Sequence, residues 1–297
     1  MRHRMLGGLR VSAVGLGAMP LSIEGRPDEA RALATVHAAL DAGVTLLDTA
    51  DSYHLPGREP GHNELLLARA LATYGGDTDG VLVATKGGRG RPGDGSWTVT
   101  GSPRHLKAAA EASRKRLGVE AIGLYQLHRP DPDVPFEESV GALRELLDEG
   151  TVRLAGLSNV DTDQILRARA ILGDRLVSVQ NRYSPEVRDS EPELRLCAEL
   201  GLAFLPWSPL GGISRSSLDG PSGLDGRARF AAFHEVAEER GVSPQQVCLA
   251  WLSSLSPTLI PIPGASRPET IRDSAGSAEL LLDEAELARL TEAARTP

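Results

Sequence analysis

Short apolar runs alternate with amphipathic stretches from one end of this chain to the other, and that rhythm constrains its fold more than any other feature. The runs are Val11–Gly17, Val44–Asp48, Val81–Lys86, Ile122–His128, Val152–Ser158, Leu176–Gln180, Ala203–Trp207 and Thr258–Ile262. They are nearly continuous rather than alternating in polarity, the pattern of parallel strands covered on both faces. Helical spacing between them predicts helices over Asp28–Ala42, Glu64–Tyr74, Pro103–Leu117, Phe136–Glu149, Asp163–Leu172, Glu191–Leu200 and Arg227–Arg240. Pro103 and Pro268 suit first-turn positions, and Gly43, Gly118, Gly150, Gly201 and Gly241 suit helix C-termini. Eight strands joined by crossover helices close most economically into an α/β (β/α)8 TIM barrel. A short N-terminal extension precedes it and an extra helix, Asp283–Ala294, follows it. An open doubly wound sheet is the alternative that periodicity leaves standing. No linker-like shift in composition divides the chain, so residues 1–297 read as one domain. The Gly/Ser-rich stretch Gly211–Gly226 reads as a long loop after the seventh strand, of a kind that often serves as a lid.

Composition removes several classes of function. A hydrophobic fraction of 41% and a charged fraction of 24% are those of a globular protein. No apolar run reaches the 18 or so residues of a membrane span, and the basic start MRHRMLGGLR has no apolar core behind it to make a signal peptide. Cys197 and Cys248 are the only cysteines, which fits a reducing compartment and predicts a cytoplasmic protein. A net charge of −8 argues against nucleic acid as a partner. No metal site is expected, because the seven histidines include no H-E-x-x-H and no cysteine pair is close. Gly88, Gly90 and Gly93 fit G-x-G-x-x-G after a strand, but Pro92 and the DGSW that follows prevent a helix from starting there. That stretch instead predicts a loop carrying Trp97 to the substrate mouth. GLSNV lacks the second glycine of a nucleophile elbow.

In a barrel the C-terminal ends of the strands converge on one mouth. Here polar or aromatic residues end one strand after another: Asp48, Lys86, His128, Ser158 with Asn159, Gln180 and Trp207. Taken singly, Asp48 could cap a turn and His128 could be a satisfied core residue. Lys86 stands out, since only three of the 32 basic residues are lysines and buried lysines are rare unless paired. With Tyr53, five residues past Asp48, these supply an acid, a lysine, an imidazole and a phenol to one cavity. Reducing a carbonyl needs a hydride on carbon and a proton on oxygen. A free phenol holds its proton to about pH 10, too tightly for an ideal acid. A nearby ammonium is expected to lower that value, an aspartate to keep the ammonium charged, and a histidine to hydrogen-bond the carbonyl oxygen.

These residues resemble the aldo-keto reductase superfamily. The matching pieces are RVSAVGLGAM, LLDTADSY, TKGG, LYQLHRPDPDVPFEESV, GTVRLAGLSNV, VQNRYS, LPWSPLGG and PIPGASRPETI, in family order over nearly the whole chain. The resemblance implies reduction of an aldehyde or ketone with NADPH, NADH not being excluded. It implies Tyr53 as proton donor, Asp48 and Lys86 as its tuning pair, and His128 as the group that orients the carbonyl. It places Gly17, Ala18, Met19 and Asp48 beside the cofactor, Ser158, Asn159 and Gln180 on the nicotinamide carboxamide, and Trp207 in the stacking position usually held by tyrosine. Ser208, Leu210 and Gly212 would line the pyrophosphate, and Gly264, Ser266 and Arg267 the adenosine phosphate. Trp97, His54 and Arg129 would face the small-molecule substrate. The sequence departs from the familiar pattern where Gly264 or Ser266 stands in place of a cation, Thr270 in place of an arginine, and Asp273-Ser274 in place of Glu-Asn. HLPGREPGHNE after Tyr53 is also longer than the usual turn. The rival reading from another class is a nicotinamide-binding sensor of the potassium-channel β-subunit type. A barrel aldolase or isomerase using Lys86 as a Schiff base is a third.

Overall fold

The computed structural model describes residues 1–58, 60–214 and 230–295. An antiparallel hairpin opens the chain, β1 (His3–Leu6) with β2 (Leu9–Ser12). Gly7 and Gly8 join them with φ of 56° and 83°, the two positive values that a type I′ turn needs. The apolar run from Val11 predicted as one strand is therefore divided. Its start belongs to the hairpin, and only β3 (Leu16–Gly17) enters the main sheet.

That sheet is parallel and continues through β4 (Leu46–Asp48), β5 (Leu82–Gly87), β8 (Ile122–Leu127), β9 (Val152–Ser158), β10 (Leu176–Gln180) and β11 (Ala203–Phe204), in the spatial order β11-β10-β9-β8-β5-β4-β3. Crossovers are made by α1 (Glu29–Asp41), α2 (His62–Thr73), α3 (Pro103–Leu117), α4 (Phe136–Asp148), α5 (Thr162–Leu172) and α6 (Glu191–Leu200). Local chemistry sets their ends. Asp28 caps α1 by accepting from the Arg31 amide, and Asp161 with Gln164 forms a reciprocal capping box on α5. A small hairpin, β6 (Arg89–Gly90) with β7 (Thr98–Val99), rises from the end of β5.

The eighth strand closes the ring without forming a regular ladder. Ile260 donates to the Phe204 carbonyl at 2.9 Å, while Gly15 and Gly17 donate to the carbonyls of Pro261 and Pro263, each at 2.9 Å. In parallel register the N–H that would return a bond to the Gly15 carbonyl belongs to Pro263, which has none, so the ladder toward β3 is interrupted there. Parallel bridges Phe204–Leu259 and Gly17–Gly264 complete a (β/α)8 barrel.

Two helices precede that strand, α7 (Ala231–Arg240) and α8 (Pro244–Leu255), and α9 (Pro268–Gly276) and α10 (Glu284–Arg295) follow it. The apolar segment VCLAWLSSL of α8 was not predicted as a helix. The predicted Arg227–Arg240 helix starts at Ala231 within the described residues. Most of the predicted loop Gly211–Gly226 lies outside them. Inside the barrel, Leu46, Leu82, Leu124, Val177, Ala203 and Ile260 pack with Leu6 and Val11 of the hairpin, which therefore plugs the ends of the strands away from their C-termini. Among the described residues no helix is long and apolar enough to cross a membrane.

Candidate active site

β4 and β5 lie side by side with Asp48 paired to Ala84, which brings Lys86 against Asp48 at the C-terminal ends of both strands. Lys86 is fully buried, and its ammonium donates to Asp48 Oδ2 at 2.7 Å, the Thr49 carbonyl at 2.9 Å and the Tyr53 hydroxyl at 3.1 Å. All three ammonium protons are thereby used. The Tyr53 oxygen accepts from Lys86, so its own proton is the one left to donate elsewhere. Asp48 Oδ1 accepts from Gln180 Nε2 at 2.8 Å, which fixes the carboxylate from its other side.

Burial acts first on all three titrating groups. It raises the Tyr53 phenol, and Lys86 pulls it back only in part, so the phenol sits above its ordinary value. The expectation that the ammonium would bring it below that value is corrected: loss of hydration outweighs the charge. Burial also pulls Lys86 down, but Asp48 and then Tyr53 outweigh it, and the ammonium is held above its ordinary value and stays charged. His128 lies well below the usual imidazole range, through burial and then the cations Lys86, Arg89 and Arg129, so its ring is neutral. Its Nδ1 is 3.4 Å from Ser52 Oγ, and its ring meets that of Tyr53 edge-on at 5.8 Å between centroids.

A cavity of about 720 Å³ opens above these groups. Of the residues implicated by sequence, Asp48, Tyr53, His128, Trp97 and Arg129 line it on one side. Gly17, Met19, Ser158, Asn159, Gln180, Trp207, Ser208, Leu210, Gly264, Ser266 and Arg267 line the rest. Lys86 stands behind Tyr53 rather than in the wall. Three others lie outside the lining. Ala18 is buried, its amide on the Asp48 carbonyl and its carbonyl on Asn63. His54 is buried with its ring on the Leu55 carbonyl, and Gly211 rather than Gly212 reaches the cavity.

The cleft's chemistry suits a dinucleotide. Asn159, with φ of 59°, donates to the His128 carbonyl and to Ser158 Oγ, each at 3.0 Å, and Ser158 Oγ donates to the Gln180 carbonyl at 2.7 Å. The amide nitrogens of Asn159 and Gln180 are thus committed to protein, leaving their oxygen ends as acceptors for a carboxamide NH2. Trp207 presents a large ring whose Nε1 is buried without a partner. At the far end α9 starts in the lining. Its N-cap, Arg267, makes no side-chain cap, and Pro268 follows, so the first-turn amides and the positive end of the helix are available to phosphate.

Residues 13–295 match the family model described as the aldo/keto reductase family. The chain belongs to the aldo/keto reductase family. An uncharacterized oxidoreductase of Schizosaccharomyces pombe is 33% identical over 291 residues, covering 97% of this chain and 88% of that protein. A Glycine max protein named probable aldo-keto reductase 1 is also 33% identical, over 96% of this chain and 86% of its own length. Among solved structures, an aldo-keto reductase of Klebsiella pneumoniae in complex with NADPH superposes with a TM-score of 0.80 at 26% identity, covering 100% of this chain and 96% of that one. The glycerol dehydrogenase of Gluconobacter oxydans gives 0.82 at 27%, covering 98% and 94%.

Within this aldo/keto reductase cleft the structure adds wall residues that the sequence did not single out. Arg89 follows Lys86 by three positions, on the glycine-rich stretch set aside as a dinucleotide motif, and its place just past a strand end was the available signal. Asp273, singled out in the sequence as a departure from the family pattern, does line the cleft, and its carboxylate is held by Ser243 Oγ at 2.6 Å and Gln246 Nε2 at 2.7 Å.

Proposed function

We propose that this chain is an NADPH-dependent carbonyl reductase acting in the cytoplasm on a small aldehyde or ketone. The observation that carries the reading is the fully buried Lys86 bonded at once to Asp48 and Tyr53. Bound reduced nicotinamide supplies the hydride. Ser158, Asn159 and Gln180 orient its carboxamide, Trp207 covers its ring, and the start of α9 with Arg267 takes the phosphate end. Tyr53 gives its free proton to the carbonyl oxygen as charge develops there, and Lys86 stabilises the phenolate left behind. Neutral His128 donates a second hydrogen bond to the same oxygen, its ring oriented by Ser52. A phenol raised by burial stays protonated through neutral and mildly alkaline pH, which suits an acid working in the direction of reduction.

Two measurements test this. Purified protein with NADPH and 4-nitrobenzaldehyde should consume the cofactor, whereas tight NADPH binding with negligible turnover would mark a sensor instead. Arg267→Ala should weaken NADPH more than NADH, by about 1.5–3 kcal/mol if a charge-assisted bond to the 2′-phosphate exists. Equal losses for the two cofactors in a binding titration would reject that contact.

A further inference from the structure

The substrate side of the cavity carries more positive charge than the reaction needs. Arg89 and Arg129 both line it, next to Tyr53 and His128 and away from the Arg267 end. The Nε of each is buried with no hydrogen-bond partner. Among the described residues neither guanidinium has a carboxylate partner. Their neighbour Arg91 differs, since its guanidinium forms a two-pronged pair with Glu24 and also donates to the His54 carbonyl at 3.0 Å. Position is imposed on Arg89 by the hairpin. Arg89 pairs with Val99, and the Trp97 ring lies 4.5 Å from the Arg89 guanidinium and 4.3 Å from that of Arg91. Arg129 follows His128 directly off β8.

A guanidinium cannot shed its proton, and a buried N–H without an acceptor costs free energy. Two such groups lining one pocket repel, and the repulsion is relieved when an anion binds both. The whole molecule carries −8, so attraction for an anion at this mouth is local in origin. The cofactor's phosphates are provided for at the start of α9, which leaves these arginines to the substrate.

Resting on the reductase reading above, we propose that the carbonyl substrate carries an anionic oxo-acid group, carboxylate or phosphate, held by Arg89 and Arg129 beside the reacting carbon. Both groups match the planar fork of a guanidinium.

The test compares kcat/KM for 4-carboxybenzaldehyde, 4-formylphenyl phosphate and 4-nitrobenzaldehyde in the wild type, Arg89→Met, Arg129→Met and the corresponding lysine variants. Each methionine variant should lower the anionic-to-neutral ratio of kcat/KM by roughly 10–100-fold, the size of a lost charge-assisted bond, with the loss falling mainly on KM for the anionic aldehydes. The lysine variants should retain part of the ratio, and raising salt should erode it in the wild type. Whichever of the two anionic aldehydes loses more identifies the group that is read. A ratio unchanged in both methionine variants, or wild-type rates insensitive to salt, overturns the proposal. If no aldehyde is reduced, the reductase reading fails by itself. Calorimetry of 4-(hydroxymethyl)benzoate with the NADP⁺-loaded protein then decides the anion site: binding lost in the methionine variants upholds it, and no binding to the wild type overturns it.

Discussion

Lys86 and Asp51, joined by a hydrogen bond from the Asp51 amide to the Lys86 carbonyl at 3.2 Å, show how differently burial treats two ionisable side chains. The ammonium has three acceptors and remains charged. Asp51 is buried with its Oδ1 unpartnered, and loss of hydration, then the Glu64 carboxylate, push its carboxyl up to about 8. Its folded value therefore lies above the unfolded one of about 3.9, and the folded state binds the extra proton. The stability it contributes is fully present below the unfolded value and is lost as pH climbs toward about 8. Asp51→Asn should flatten the decline in melting temperature between about pH 5 and pH 8 and raise it at the upper end, as followed by circular dichroism. Parallel curves for the variant and the wild type would contradict the assignment. Lys86 was legible because a lysine closing an apolar run has few explanations. Asp51 was not, since an aspartate between Ala50 and Ser52 in a turn looks like any solvated loop residue. The direction of the Tyr53 shift was missed for a related reason: a sequence names the neighbouring charge but does not measure how much water is excluded.

At the scale of elements, the N-terminal hairpin shows what alternation alone leaves out. Val11 to Gly17 is one apolar run, yet Gly7-Gly8 folds its first half back on β1 so that Leu6 and Val11 fill the barrel's closed end. A Cβ on Gly7 would lie 2.6 Å from Val177 Cγ1 in addition to the strain of its positive φ. Gly8 has open space around the same position. Gly7→Ala should therefore cost about 1–3 kcal/mol more than Gly8→Ala. In a barrel of this size that is a gap of several degrees in melting temperature, at about 2–4 °C per kcal/mol. Equal melting temperatures would mean that the hairpin does not bear on Val177. The eighth strand was legible as an apolar run, but the break that Pro263 makes in its ladder toward β3 follows from which side each residue faces. That side is set by closure, not by the run itself. The α8 segment was not legible as a helix because its six consecutive residues Val247–Leu252 are all apolar and all buried, which leaves no helical period in that run.

At the scale of the whole molecule, the barrel converts sequence separation into contact. Lys86 reaches a carboxylate 38 positions away and Gln180 meets the same carboxylate from 132 positions away. This is why polar residues ending successive strands could be read as one site before any coordinates: closure makes every strand end a neighbour of the same mouth. The substrate wall was less legible. His54 and Trp97 sit on equally polar loops, yet one is tucked beneath the surface and the other faces the cavity, a difference decided by the paths of those loops. What the assembled site claims to do is deliver a hydride to a carbonyl carbon while Tyr53 protonates its oxygen. The most direct measurement is transfer of deuterium from nicotinamide-deuterated NADPH to the carbinol carbon of the product, in the wild type and in Tyr53→Phe. The account predicts labelled alcohol from the wild type and a loss of about 10²–10⁴-fold in its rate of formation in the variant, with NADPH affinity nearly unchanged. Unlabelled product, or a variant within a few-fold of the wild type, would contradict it.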